Sequence, residues 1–333
     1  MSNLSEVAFS MLDLIPVRSG DTIAQALHNS LDLARHLENL GFTRFWLAEH
    51  HNMQGIASSA TSVLVGYIAA GTQKIRVGSG GIMLPNHAPL VVAENFGTLA
   101  TLYPNRIDLG LGRAPGTDQV TMRALRRDRL GNGEDFPNQV AELRAYLATP
   151  EPDQRVIATP GANTNVPIWL LGSSLFSAEL AAKLGLPYAF ASHFAPRMMH
   201  DAIHVYRSHF QPSDVLSKPY LCLGVPLIAA PTDGEAEFLA TTSKQRILAL
   251  MRGQSLKLRP PIANTELEAQ WSPAEKAAVE AFLQVAVIGS PETVKIKLEK
   301  LLAETDADEL MFVSDCYEHA HRLRAFDIVS SLR

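Results

Sequence analysis

Phe45-Trp46-Leu47-Ala48-Glu49-His50-His51 begins as an apolar run of strand length and ends in a carboxylate and two imidazoles. Short apolar runs bounded by polar or glycine punctuation read as β-strands. The pattern recurs in Ile75-Arg76-Val77-Gly78-Ser79-Gly80-Gly81, Ile107-Asp108-Leu109-Gly110-Leu111-Gly112-Arg113, Ile168-Trp169-Leu170-Leu171-Gly172-Ser173-Ser174 and Ala189-Phe190-Ala191-Ser192-His193. Each time, the groups able to do chemistry stand at the C-terminal end. In an α/β chain folded as a (β/α)8 TIM barrel, those ends share one face, and the active site is built there. Scattered positions then converge on one pocket, which is the pattern of an enzyme.

Working outward, strands are expected at Val7 to Leu12, Arg44 to Glu49, Ile75 to Met83, Arg106 to Leu111, Pro167 to Leu171, Tyr188 to Ala191, Tyr220 to Ile228 and Glu309 to Val313. Helical spacing fills the intervals. Ile23, Leu27, Leu31, Ala34 and Leu37 mark one apolar face over 22–40, with Asp21 as its expected cap and Gly41 after it. Two intervals exceed a simple connection and read as insertions, at about 114–166 and 252–286. The first carries expected helices at Gln119 to Arg127 and Asn138 to Ala148, and the second a helix at Pro273 to Leu283 that suits a lid. A barrel needs about 250 residues, so 333 accommodate one barrel domain with both insertions.

With 29 Lys and Arg against 34 Asp and Glu, the net charge is −5 and no basic stripe marks a nucleic-acid partner. No run approaches a membrane span, and the start lacks the basic and apolar segments of an export signal, so a cytoplasmic protein acting on a small molecule is expected. Cys222 and Cys316 are expected in strands as buried thiols. Gly110-Leu111-Gly112-Arg113-Ala114-Pro115-Gly116 approaches a dinucleotide fingerprint, but its third glycine is misplaced and a proline interrupts helix entry.

Of His50 and His51, adjacent on an extended chain, only one can face the barrel mouth. Glu49 with the two histidines supports either a metal site or proton transfer by a neutral imidazole; without a His-x-His or His-Glu-x-x-His pattern, no metal is assigned. Gly80 and Gly81 let backbone approach a flat ligand, or form a bulge. Arg113 suits bidentate contact with a phosphate or carboxylate, or a surface salt bridge. Ser173, Ser174 and Ser177 straddle a helix start, where they bind an anion or cap the helix. His193 closes the sixth strand as a pocket or structural residue, and Glu94, on an apolar helix face, either orients loop groups or reaches solvent.

Taken in order, Leu47-Ala48-Glu49-His50-His51-Asn52, Val77-Gly78-Ser79-Gly80-Gly81-Ile82-Met83-Leu84-Pro85, Ala93-Glu94, the Arg106 to Arg113 run and Ile288-Gly289-Ser290-Pro291 resemble the bacterial luciferase-like flavin monooxygenases nearly end to end. The resemblance implies a barrel with FMN at its C-terminal mouth, a homodimer, and reduced flavin supplied by a separate reductase. It implies that His50 stands beside the reactive flavin carbon, that Arg113, Ser174 and Ser177 bind the phosphate, and that Gly80-Gly81 is a cis peptide against the ring. The segments around Ser173 and His193 differ from luciferase itself, which argues against light emission. The rival readings are a deazaflavin-dependent hydride transferase of the same architecture, a metal-dependent hydrolase using Glu49, His50 and His51, and a flavin-binding protein without turnover.

Overall fold

Eight parallel strands close on themselves in the computed structural model, which describes residues 4–114, 118–125 and 135–333. The ring runs β1 (Ala8–Asp13), β2 (Arg44–Leu47), β3 (Arg76–Met83), β4 (Ile107–Gly112), β5 (Ile168–Gly172), β6 (Tyr188–Phe190), β7 (Leu221–Ala229) and β9 (Glu309–Val313), with β9 pairing back to β1. This is the expected (β/α)8 barrel. A ninth strand, β8 (Val287–Gly289), prolongs the sheet beside the upper end of β7 and lies outside the ring. Three residues following an irregular stretch carry too little periodicity to announce a strand.

Strand alternation sorts side chains into two layers. Phe9, Met11, Phe45, Val77, Leu109, Leu223 and Phe312 face outward into the large core beneath the helices. Leu12, Trp46, Trp169, Ala189, Cys222 and Met311 form a separate inner core. Below it, charges plug the N-terminal end of the barrel. Arg44 reaches Asp108 at 2.8 Å and Glu309 at 3.0 Å, Arg76 reaches Asp108 at 2.5 Å, and Ser10 and Tyr220 donate to Glu309. Asp108 and Glu309 are fully buried, so each carboxylate stands only because cations and hydroxyls surround it.

The first helix, α1 (Ile23–Asn39), is capped by Thr22 and not by Asp21: the Thr22 side chain accepts from the Gln25 backbone N–H. Asp21 is engaged by Arg18 at 2.6 Å, and its position is one residue too early for the cap. Cys222 lies in β7, but Cys316 falls in the loop after β9; both are buried, unpaired thiols. In the first insertion stand α4 (Gln119–Ala124) and α5 (Phe136–Leu147). Pro115 and Gly116 of the near-fingerprint, and the expected helix end at Arg126 and Arg127, lie outside the described residues. In the second insertion, α10 (Pro273–Phe282) starts at a capping box between Ser272 and Glu275 and packs Val279 and Phe282 against Ile247 and Leu248 of α8 (Asp233–Met251). Among the described residues, no helix is long and apolar enough to cross a membrane.

Candidate active site

The upper inner positions of the barrel are small: Gly80, Gly112, Ala189 and Gly224. Above a packed floor, these leave a hollow of about 360 Å³ at the C-terminal mouth. Leu12 and Trp46 line its base, and Trp46 is held edge-on by Trp169 with ring centroids 5.1 Å apart. His50, Gly80, Gly81, Arg113, Ser173, Ser174, Ser177 and His193 all line this one cavity. Glu94 does not join them. It lies half-buried on α3 (Pro89–Leu102) and lines neither this hollow nor its neighbour.

Glu49 separates the two adjacent histidines. Its buried carboxylate accepts from His51 Nε2 at 2.9 Å, from His87 Nε2 at 2.9 Å and from the Met83 backbone N–H at 3.1 Å. Burial alone would raise its pKa; hydrogen bonds from His51 and His87, the charge of His87 and the Met83 amide prevail and hold it at about 2. His51 is thereby turned away, while His50 lines the cavity. Among the described residues, no three His, Cys, Asp or Glu side chains are grouped to hold a metal ion. His87, which joins β3 to the end of β2 through Glu49, was invisible in the sequence because nothing local pairs positions 49 and 87.

The Gly80-Gly81 peptide is cis, and the β3–β4 register shifts between Gly80 and Ile82. A Cβ on Gly80 would stand 2.6 Å from Leu12 Cδ1, and one on Gly81 2.7 Å from the Gly110 carbonyl. Backbone, not side chain, therefore forms this wall. After β5, α6 (Leu175–Leu184) begins at Ser174, whose side chain makes no capping hydrogen bond. A Cβ on Gly172 would meet Ser177 Oγ at 2.3 Å, so glycine at that place is what lets the first turn of α6 close on the end of β5. Arg113 lies over Phe176 at 4.1 Å and has no carboxylate partner among the described residues. A positive guanidinium, free hydroxyls and a helix N-terminus facing one hollow fit the phosphate end of a flavin nucleotide.

His193 is 8% exposed, and neither of its ring nitrogens has a hydrogen-bond partner among the described residues. Burial, followed by the charge of His50, lowers its pKa to about 4, so it is neutral at pH 7. The Phe194 ring lies against it, tilted by 45° with the ring centroids 4.2 Å apart. Together with His50, these two residues also border a second, smaller cavity.

Residues 7–309 match the family described as luciferase-like monooxygenase. A Bacillus subtilis (strain 168) protein, YvbT, is 56% identical over 98% of this chain and 97% of its own. A luciferase-like monooxygenase of Escherichia coli (strain K12) is 51% identical over 98% and 97%. Among solved structures, apo-MsnO8 superposes with a TM-score of 0.90 at 37% identity, covering 98% of both chains. At 17% identity and a TM-score of 0.71, the likeness to the FMN complex of the oxygenating constituent of 3,6-diketocamphane monooxygenase from Pseudomonas putida, covering 98% of this chain and 97% of that one, is one of fold.

Proposed function

Because the chain belongs to the luciferase-like monooxygenase family, we propose that it is a flavin-dependent monooxygenase that receives reduced FMN from a separate reductase and oxygenates a small organic substrate with O2. The observation that carries this reading is the convergence of Arg113, Ser174, Ser177, the Gly80-Gly81 peptide and His50 on one cavity. Bound reduced FMN would supply the activation of oxygen.

The protein's own residues supply the rest. Arg113 and the start of α6 hold the phosphate, which fixes the nucleotide from its far end. The Gly80-Gly81 backbone and the Trp46 floor give the ring a flat seat from which water is excluded. His50, at the mouth, holds or moves a proton at an imidazole nitrogen.

Anaerobic titration with reduced FMN, followed by oxygen uptake in the presence of a flavin reductase, tests the reading. Arg113→Ala is expected to weaken FMN binding by about 1.5–3 kcal/mol, the loss of a charged hydrogen bond. Absence of binding by the wild-type protein, or equal titrations for both, would overturn it. Reduction of an oxidised deazaflavin by an alcohol, without oxygen uptake, would replace oxygenation by hydride transfer.

A further inference from the structure

Beside the flavin hollow lies a second cavity, of about 170 Å³, that the chemistry above leaves unused. Its walls come from the upper ends of β7, β8 and β9, from α8, and from α10 of the second insertion. Ile228, Ile247, Leu250, Leu283, Ile288 and Val313 make it almost entirely aliphatic. Apart from the two histidines at its border, the charged groups among its described lining residues are Arg246 and Asp315, and they are ion-paired with each other, so the aliphatic walls offer no net charge to a ligand. Its border with the flavin hollow consists of His50, His193 and Phe194, which line both spaces.

The His193 ring has two buried nitrogens without a hydrogen-bond partner among the described residues, at the border where this aliphatic space meets the hollow. A buried polar group left unpaired costs free energy, and a ligand that bonds to it recovers that cost. Apolar walls with an unpaired hydrogen-bonding ring at the border describe a ligand of matching form. We propose that this chamber seats the organic substrate, and that the substrate is an uncharged, hydrocarbon-bodied molecule with a single hydrogen-bonding head group turned toward His193. The assignment rests on the flavin reading only for its purpose, since it places the head group at the boundary with the oxygenating site. A carboxylate or ammonium finds no unpaired counter-ion in the aliphatic walls and would have to be desolvated there. The neutral state of His193 agrees, because a neutral imidazole both donates to an oxygen and accepts from a hydroxyl.

The test uses the flavin-free full-length protein, titrated calorimetrically with 1-octanol, with octanoate and with octylammonium. Octanol is expected to bind at least ten-fold more tightly than either ion. Ala286→Phe and Ser243→Leu, which fill the chamber from two different elements, are each expected to weaken octanol ten-fold or more while circular dichroism stays unchanged. His193→Phe, which keeps the apolar volume, is expected to weaken it about five-fold, the loss of one hydrogen bond. No octanol binding, an ion bound as tightly as octanol, or octanol binding unchanged in both filled variants would overturn the proposal. Octanol binding by a protein that fails to bind FMN would uphold the chamber and sink the flavin reading alone.

Discussion

Gly224 and His193 occupy one place between them: a Cβ on Gly224 would lie 2.3 Å from His193 Nδ1. The imidazole reaches its buried position between the two cavities because β7 carries no side chain there. Gly224→Ala is therefore expected to displace the ring and cost about 1–3 kcal/mol, as overpacking does. Denaturation midpoints in urea measure this, and an alanine variant as stable as the wild type would show that the ring yields without cost.

The same burial makes His193 a source of acid sensitivity. An ordinary histidine titrates near 6.5, whereas this one is held at about 4 by burial and by His50. Between those values the unfolded chain binds a proton that the folded chain refuses, so the folded state loses stability as pH falls from about 6.5 to 4. The expected slope relative to His193→Phe is about 1.4 kcal/mol per pH unit. Parallel stability curves for the two proteins across that range would contradict the assignment.

Glu49 acts in a lower window. Held at about 2 against a usual value of 4.5, its charge stabilises the fold at all pH values above the latter, and that contribution disappears as pH falls toward 2. Glu49→Gln is expected to be less stable than wild type at pH 6, with the difference narrowing below pH 4.5. A difference independent of pH would assign the effect to packing and not to charge.

His50 lines the hollow at the barrel mouth, and His51 and His87 donate to Glu49. His50→Ala is expected to leave FMN affinity within about two-fold, since truncating a side chain away from the phosphate removes at most one weak contact. It should sharply lower product formed per oxygen consumed. Product yield equal to wild type would remove His50 from the reaction.

Much of this was legible in the chain. The apolar runs around positions 45, 75, 107, 168 and 189 stand as strands in the ring, and eight of the residues singled out at their ends line one cavity. Local sequence carries such information because strand period and C-terminal punctuation are properties of consecutive residues. Thr22 as a cap and β8 as a strand escaped notice for the same reason in reverse: one residue of offset, or three residues of length, is below what a pattern can resolve.

Sequence by itself determined the architecture, the face on which the site would lie and the residue types available there, since all three follow from periodicity and chain order. Only the tertiary structure decided which imidazoles line the cavity. Glu49 holds His51 directly and is itself tied to His87, 38 positions away, and Gly224 clears the room in which His193 stands without a hydrogen-bond partner among the described residues. Such assignments depend on distances between residues remote in the chain, and those distances come into being only when the barrel closes.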